Sequence, residues 1–205
     1  MKIIITGNKG FVGSNLTKYL TQKNKKILGV SRNPINDEIS YDELKPLHLD
    51  SSQALVHLAG KAHDTQKTFK RHEYFDVNTS LTKKLFEMFL QSKSEIFIYL
   101  SSVKAVTDVV HGELLENEIP RPNSLYGKSK LAAENYILSK KIPNNKRVFI
   151  IRPCLIYGPN PKGNLKSLFD IIKSGLPWFF GSYKNKRSYC SVENLSFVIE
   201  KLLDN

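Results

Sequence analysis

The sequence predicts an α/β protein built on a doubly wound parallel sheet, and three observations support this fold class. Short runs of β-branched and aromatic residues alternate with longer amphipathic stretches, as strands joined by helical crossovers require. A glycine-rich turn separates the first apolar run from the first helix-like stretch. The chain has 205 residues and 40% apolar content, which is enough for one domain with a buried core, alone or with a small appendage.

The predicted elements follow one another in a regular order. Strands are predicted at residues 2–5, 26–30, 55–58, 95–100 and 147–152, and helices at 14–21, 76–91, 124–140, 164–174 and 193–203. In the helix from Asp76 the apolar residues recur at steps of three and four and form one buried stripe: Val77, Leu81, Leu85, Met88 and Phe89. The polar, irregular segment 35–50 leaves little room for a full third crossover helix.

Composition argues against several classes of protein. No apolar run reaches the length of a membrane span, and the N-terminus lacks the pattern of a secretory signal, so we expect a cytoplasmic protein without a membrane partner. Cys154 and Cys190 are too few for a disulfide framework and have no metal-ligand spacing, so no metal is expected. The net charge is +12, but the basic residues are spread along the chain. This pattern favours attraction of an anionic diphosphate substrate over nucleic-acid binding.

The glycine-rich turn from Thr6 to Gly13 predicts a dinucleotide site. Gly7 would permit the tight turn off the strand, Gly10 would let the backbone approach a pyrophosphate, and Gly13 would let the helix pack closely on the sheet. The pyrophosphate would meet free N–H groups and the positive end of the helix dipole. The position of the turn between a strand and a helix distinguishes it from a plain glycine-rich turn.

The two parts of the chain differ in composition. Residues 1–153 contain the alternating elements, and we assign them to an NAD(P)-binding Rossmann domain that also carries the catalytic residues. After Pro153 the chain becomes rich in turn-forming residues around Gly158 and Pro159. We interpret residues 154–205 as a small, partial substrate-binding region.

The end of the second predicted strand bears on the choice of coenzyme. A carboxylate at this point accepts a hydrogen bond from the ribose of NAD, whereas a cation accommodates the 2′-phosphate of NADP. Here Ser31 and Arg32 follow the strand and no acid is adjacent. We therefore predict NADP or NAD as cofactor, with NADP favoured. The alternative is that Arg32 is a solvated residue that stacks on adenine.

Ser102, Tyr126 and Lys130 are the predicted catalytic residues. A tyrosine has a reference pKa of about 10, so a cation must stabilise its phenolate if it is to act as a base near neutral pH. Lys130 lies four residues after Tyr126, on the same face of the predicted helix. Ser102 follows the strand 95–100 and can donate to a substrate oxygen. Ser101, whose side chain would point the opposite way, is the alternative to Ser102.

With these motifs in order, the chain resembles the extended short-chain dehydrogenase/reductases, specifically the nucleotide-sugar epimerase/dehydratase branch. The matching segments are Thr6-Gly7-x-x-Gly10-Phe11-Val12-Gly13, Val56-His57-Leu58-Ala59-Gly60, Asn78, Leu100-Ser101-Ser102-Val103-Lys104, Tyr126-Gly127-Lys128-Ser129-Lys130, Ile151-Arg152-Pro153 and Tyr157-Gly158-Pro159. The resemblance implies that the segments containing Phe11, Val12, Leu58, Ala59, Gly60, Lys130 and Pro153 contact the cofactor. It also implies that Asn78 supports the helix that bears the active site.

The resemblance also bears on the substrate. Sugar 4,6-dehydratases of this branch are expected to carry an acidic pair directly after the catalytic Ser or Thr, and Val103-Lys104 stands there in this chain. Dehydration is therefore disfavoured, which leaves C4 epimerisation or reduction of a 4-keto group. Several short segments, among them Ala62-His63-Asp64 and Lys162-Gly163-Asn164, resemble bacterial reductases or epimerases of UDP-N-acetylated 6-deoxy-4-hexuloses that serve surface polysaccharide synthesis.

In that branch Asn164 and Arg187 would hold the phosphates of UDP, and Ser101 and Lys104 would line the sugar site. The resemblance further implies a homodimer and a C-terminal part that is shorter than in relatives. Our prediction is an NAD(P)-dependent oxidoreductase acting at hexose C4, a 4-keto reductase with UDP-sugar 4-epimerase as the alternative. A non-catalytic Rossmann protein that senses NADP or binds RNA is the alternative of another class, and the presence of Tyr126 and Lys130 favours the enzyme.

Overall fold

A computed structural model describes residues 2–62, 71–110, 112–159, 164–175 and 186–204. A parallel five-stranded sheet with the strand order β2-β1-β3-β4-β5 organises the fold. Its strands are β1 (Lys2–Thr6), β2 (Lys26–Val30), β3 (Ser52–His57), β4 (Ile96–Leu100) and β5 (Arg147–Ile151). Two short parallel strands, β6 (Leu155–Tyr157) and β7 (Tyr189–Ser191), form a second sheet.

Helices connect the strands. They are α1 (Phe11–Gln22), α2 (Pro46–Asp50), α3 (Arg71–Phe75), α4 (Leu81–Gln91), α5 (Leu125–Leu138), α6 (Asn164–Lys173) and α7 (Val192–Asp204). A π-helical turn (Asp76–Ser80) joins α3 to α4, and a 3-10 turn (Val103–Ala105) follows β4. Within the described ranges, no helix is long and apolar enough to cross a membrane.

The core lies on both faces of the main sheet, which confirms the doubly wound prediction. Strand residues such as Ile4, Leu55 and Phe97 pack with α2, α4 and α5, whereas their strand neighbours such as Ile5 and Val56 pack with α1 and α7. Because successive side chains of a strand point to opposite faces, strands that are apolar throughout can contribute to both layers. Because the five strands are parallel, their carboxyl ends lie at one edge of the sheet.

The crossover between β2 and β3 is abbreviated, as the polar segment 35–50 predicted. Ile39 forms a single parallel bridge with Val30 at the outer side of β2, and the five-residue helix α2 then returns the chain to β3. Buried Leu44 and Leu49 join the core from this segment. The loop after β2 is thereby folded back against the strand, which becomes important for the site.

The short helices α2 and α3 were not predicted from the sequence. Two further features were also not predicted. The helix predicted over 76–91 is interrupted at its start, where residues 76–80 adopt a π-helical turn. The strands β6 and β7 are each three residues long, too short for an alternating pattern to be recognised. The segments 63–64, 162–163 and 176–177, on which part of the family resemblance rests, lie outside the described residues.

Candidate active site

The glycine-rich turn lies where β1 meets α1. Gly7 has φ +72°, and a Cβ atom there would be 2.8 Å from the backbone N of Ala59. A Cβ atom on Gly13 would be 2.2 Å from the carbonyl oxygen of Gly7. The turn and the first turn of α1 are thus in close backbone contact, and Gly10 caps the helix. These features fit a pyrophosphate held against the helix N-terminus.

The other residues of this motif have structural surroundings of their own. Phe11 is the first residue of α1, and its carbonyl accepts a hydrogen bond from Asn15 Nδ2 at 2.8 Å. Val12 packs against the core layer that contains α7. Asn8 is buried, and its Oδ1 has no hydrogen-bond partner among the described residues. An unpaired acceptor beside the glycine turn is suited to a ribose hydroxyl.

The end of β2 carries a carboxylate that the sequence argument missed. Glu38 Oε1 accepts a 2.5 Å hydrogen bond from Asn8 Nδ2, and Glu38 Oε2 lies 3.0 Å from Lys9 Nζ and 3.3 Å from Ser31 Oγ. Ser31 is buried, whereas Arg32 is exposed. Partial burial opposes ionisation of Glu38, but the N–H of Ile35 and the side chains of Lys9 and Asn8 hold its pKa below the ordinary value.

The fold-back of the loop after β2 explains why this carboxylate was missed. Glu38 lies eight residues after Val30, but the bridge between Ile39 and Val30 returns it to the end of the strand. A sequence signal did exist, since Glu38 and Asp37 are acids within ten residues of β2. Only the path of the loop shows that Glu38 reaches the glycine turn.

The segment after β3 runs between the glycine turn and the lysine of the catalytic helix. Leu58 N donates to Thr6 O at 3.2 Å, and Ala59 lies against Gly7. A Cβ atom on Gly60 would be 3.1 Å from Lys130 Nζ, so the backbone passes directly beside this amine. The predicted cofactor segment Leu58–Gly60 and the predicted catalytic Lys130 are therefore in contact.

Asn78 joins this segment to α5. Its Oδ1 accepts from Lys61 N at 2.8 Å, and its Nδ2 donates to Lys61 O at 3.0 Å and to Ser129 Oγ at 2.9 Å. The next residue, Thr79, donates from Oγ1 to Ser129 O at 2.8 Å. The π-helical turn thus directs two consecutive side chains at the residue before Lys130. This geometry is consistent with the supporting role predicted for Asn78.

Tyr126 and Ser102 come together at the carboxyl edge of the sheet. Ser102 follows β4, and its Oγ accepts from Lys104 N at 3.2 Å. Tyr126 lies in the first turn of α5, and its hydroxyl is near enough to the side chain of Ser102 for that side chain to influence its pKa. Burial raises the pKa of Tyr126 above its ordinary value, and the side chain of Ser102 opposes this shift. The two hydroxyls therefore lie near each other at the carboxyl edge of the sheet.

Lys130 is a buried residue of α5, one helical turn after Tyr126. Only 3% of the residue is exposed. Its Nζ donates a hydrogen bond to Leu100 O at 2.7 Å and lies 4.7 Å from the centre of the Tyr99 ring. Burial lowers the pKa of Lys130 to about 7, although the carboxylate of Glu134 opposes this change. A buried amine that titrates near neutral pH is typical of catalytic lysines.

The remaining predicted residues lie around this centre. Ser101 is buried, and its Oγ has no partner within the described part of the chain. Pro153 O accepts from Val103 N at 3.1 Å, which holds the end of β5 against the segment after β4. Lys104 and Arg187 are exposed. Asn164 begins α6, but its side chain is outside what the structure describes.

A model of the family described as "NAD dependent epimerase/dehydratase family" matches residues 3–205. The chain belongs to this family. The match covers almost the whole sequence, including the glycine turn, the Ser102–Tyr126 pair and Lys130. It confirms the family resemblance inferred from the motifs.

Known members of the epimerase/dehydratase family show what the chain is similar to. It is 33% identical over 218 residues to UDP-glucose 4-epimerase of Vibrio cholerae, covering 99% of this chain and 66% of that protein. It is 29% identical over 164 residues to GDP-6-deoxy-D-mannose reductase of Pseudomonas aeruginosa, covering 78% of this chain and 54% of that protein. The chain therefore spans about two thirds or less of the length of these curated relatives.

A solved structure shows the same fold. The chain superposes with a TM-score of 0.82 and 23% identity on MoeE5 in complex with UDP-glucose and NAD, covering 99% of this chain and 72% of that one. The similarity confirms the Rossmann-like arrangement of sheet and helices. It gives no residue roles at this level of identity.

In this epimerase/dehydratase family member, His57 is a site residue to which sequence analysis gave no role. The ring is fully buried, with Nδ1 at 2.6 Å from Thr6 Oγ1 and Nε2 at 2.9 Å from Thr82 Oγ1. The Thr82 hydroxyl donates to Asn78 O, so it must accept at its oxygen from His57, and we therefore assign the ring proton to Nε2. Nδ1 of His57 then accepts a hydrogen bond from the Thr6 hydroxyl. Burial, and then the charge of Lys130, lowers the pKa of His57 to about 3. This neutral ring links the glycine turn to the π-helical turn.

Glu134 and Arg152 form a buried ion pair next to the catalytic helix. Arg152 Nε lies 3.1 Å from both carboxylate oxygens of Glu134, and Arg152 Nη2 lies 2.6 Å from Oε2. The Glu134 side chain is fully buried and lies one turn after Lys130 on α5. The pair therefore anchors the catalytic helix to the end of β5.

Proposed function

We propose that this protein catalyses oxidation and reduction at C4 of a UDP-hexose, with 4-epimerisation as the net reaction. The neighbouring hydroxyls of Ser102 and Tyr126, with the buried amine of Lys130 one helical turn after Tyr126, carry this proposal. The 33% identity to a UDP-glucose 4-epimerase over 99% of the chain supports the net reaction. Val103-Lys104 in place of an acidic pair argues against a dehydratase.

Each residue of the centre has a role in moving the proton of the C4 hydroxyl. NAD, held by the glycine turn, would supply the hydride acceptor for C4 and, as NADH, would return the hydride to the opposite face of the ketone. Tyr126 removes the proton of the C4 hydroxyl and later restores a proton to the C4 oxygen, a transfer that takes place beside Ser102. Ser102 donates to the oxygen at C4 and fixes its position.

Lys130 supplies the positive charge that makes this proton transfer feasible. A tyrosine whose pKa is raised by burial is a weak base unless a cation stabilises its phenolate. Lys130 lies one helical turn from Tyr126, and its hydrogen bond to Leu100 O holds the amine at the edge of the sheet. Gly60 allows the backbone to pass beside the amine without displacing it.

We further propose that the coenzyme is NAD, although Arg32 alone favoured NADP. Glu38 places a negative charge beside Asn8 and Ser31, at the end of the strand where family members bind the adenosine ribose. A carboxylate there accepts a hydrogen bond from a 2′-hydroxyl and repels a 2′-phosphate. The lowered pKa of Glu38 keeps this charge at neutral pH.

Substrate contacts remain proposals that rest on the family motifs. We assign the UDP phosphates to Arg187 and Asn164, and the sugar to Ser101 and Lys104. The side chains of Arg187 and Lys104 are exposed, so their charges are accessible to an anionic ligand. The Oγ of buried Ser101 has no partner among the described residues and is an available donor or acceptor.

Reduction of the 4-keto group of a UDP-6-deoxy-N-acetylhexosulose is the second candidate. The same proton-transfer pair serves this reaction, since reduction is one half of epimerisation. Identity of 29% to GDP-6-deoxy-D-mannose reductase favours it. In epimerisation the ketone would form and be reduced again within the site, whereas the reductase would receive the ketone as its substrate and consume one NADH per turnover.

A paired assay tests both candidates. Purified protein is incubated with UDP-glucose or UDP-N-acetylglucosamine, and the 4-epimers are resolved by NMR. In parallel, UDP-4-keto-6-deoxy-N-acetylglucosamine is added with NADH and nicotinamide absorbance is followed. Epimer formation without net NADH production supports the epimerase, stoichiometric NADH oxidation supports the reductase, and silence in both assays contradicts the proposed function.

A further inference from the structure

The loop between β4 and α5 carries one catalytic hydroxyl at each end. Ser102 lies at its start, and Tyr126 lies two residues after its last residue, Ser124. More than twenty residues of chain separate the two hydroxyls, so their proximity depends on how the ends of the loop are held together.

Asp108 holds these ends together. Its Oδ2 accepts hydrogen bonds from Asn123 N and Ser124 N, both at 2.7 Å, and its Oδ1 accepts from Ser124 Oγ at 2.5 Å. Ser124 Oγ in turn accepts from Gly127 N at 3.0 Å and caps α5. We call the carboxylate of Asp108 with its three donors the Asp108 clasp.

The segments that flank the Asp108 clasp also contact the residues next to Ser102. Val106 O, two residues before Asp108, accepts from Arg121 N at 2.7 Å. Gly127 packs against the carbonyl of Lys104, the residue whose N–H donates to Ser102 Oγ. The first turn of α5 and the 3-10 turn after Ser102 therefore form one packed unit that Asp108 closes.

We propose that Asp108 is a positioning residue that sets the distance between the Ser102 and Tyr126 hydroxyls. The expected effect of Asp108 on turnover rests on the proposed function, whereas its effect on the distance between the two hydroxyls does not. The carboxylate of Asp108 provides an acceptor for three donors at the N-terminus of α5 that would otherwise lack a protein partner. A shift of about 1 Å at a reacting group can lower turnover about 100-fold.

Charge and shape at Asp108 can be separated by substitution. Partial burial opposes ionisation, but the hydroxyl of Ser124 and the N–H groups of Ser124 and Asn123 keep the pKa of Asp108 below its ordinary value. In Asp108→Asn the amide oxygen can accept from both backbone N–H groups, and the NH₂ group can donate to Ser124 Oγ, which has a second lone pair. In Asp108→Ala all three donors lose their acceptor.

The test compares crystal structures and steady-state kinetics of the wild type, Asp108→Asn, Asp108→Ala and Ser124→Ala. Glu116→Gln, in an exposed part of the same loop, is the matched control. We expect the Ser102 Oγ to Tyr126 Oη distance to be longer than in the wild type by about 1 Å in Asp108→Ala and to keep its wild-type value in Asp108→Asn. With UDP-glucose as substrate, kcat should fall about 30-fold in the Ala variant and less than about threefold in the Asn variant, with KM nearly unchanged.

Three results would overturn the proposal. An unchanged distance between the two hydroxyls in Asp108→Ala contradicts it directly, whatever the activity. Equal kinetic losses in the Asn and Ala variants would show that charge, not position, is what Asp108 supplies. If Asp108→Ala does not fold, Ser124→Ala must show the longer distance, or the proposal fails. A wild type that turns over no UDP-sugar contradicts the proposed function only, because the distances between the two hydroxyls in the crystal structures still test the role of Asp108.

Discussion

At the scale of single residues, a buried lysine determines the expected pH dependence of stability. Burial lowers the pKa of Lys130 to about 7 in the folded protein, below the ordinary value of 10.5. Between these values the unfolded chain binds more protons than the folded one, so the free energy of unfolding rises with pH across this window. Below pH 7 the folded protein carries the full cost of burying the charge.

Lys130→Met removes this titration. The difference in Tm between wild type and Lys130→Met should therefore move in favour of the wild type as the pH rises from 7 towards 10.5. Thermal unfolding at a series of pH values measures it, and Lys128→Met, an exposed neighbour on α5, should show no such trend. A constant difference between wild type and Lys130→Met across this range would contradict a buried amine at this position.

Glu38 sets the expected coenzyme preference. The wild type should bind NAD at least tenfold more tightly than NADP, because a charge repulsion of about 1.4 kcal/mol is enough for this ratio. Glu38→Gln should bind NADP more tightly than the wild type does, measured by calorimetric titration. Glu43→Gln, in the same loop, is the control. Tighter binding of NADP by the wild type would mean that Arg32 decides the coenzyme, as its position after β2 suggests.

Site residues differ in how far the sequence alone could predict them. Ser102, Tyr126 and Lys130 belong to short motifs, and the fold brings the side chains of the first two near each other. Glu38 and Asp108 act through loops that fold back, and no local pattern encodes such a contact. Sequence reasoning finds groups that one helix turn or one strand end places together, and it misses those that a loop brings together.

At the scale of secondary-structure elements, the contact between the glycine turn and α1 requires Gly13. A Cβ atom there would be 2.2 Å from Gly7 O and 2.7 Å from Asn8 Cα, so the helix would have to move. Overpacking of this kind costs about 1–3 kcal/mol. We expect Gly13→Ala to lower the Tm and to raise the Kd for NAD about tenfold.

Thermal unfolding and NAD titration of Gly13→Ala test this expectation, with Ser14→Ala, on the exposed side of the same helix turn, as the control. Gly13→Ala binding NAD with wild-type affinity would show that the turn tolerates displacement and that it does not hold the pyrophosphate.

The elements themselves could be predicted where they have a period and a sufficient length. The five strands and the long helices lie within a few residues of their predicted positions. The π-helical turn was not predictable, because it depends on hydrogen bonds from Asn78 and Thr79 to α5. Strands β6 and β7 have three residues each and gain their pairing from each other, across more than thirty residues of chain.

At the scale of the whole molecule, a net charge of +12 favours anionic ligands. We expect the Kd for UDP to rise severalfold when the ionic strength increases from about 0.01 M to about 0.5 M, because salt shortens the Debye length. Uridine, which lacks the diphosphate, should bind with little dependence on salt. UDP binding that does not change with salt would show that the basic surface plays no part in substrate capture.

The central claim is that hydride leaves C4 of the sugar and returns to the same carbon, while Tyr126 exchanges only the proton of the hydroxyl. UDP-glucose deuterated at C4, converted in ordinary water, tests this claim most directly. Mass spectrometry and NMR should find the deuterium retained at C4 of the product, and Tyr126→Phe should lower the rate about 100-fold or more. Loss of the label to water during conversion would contradict the account.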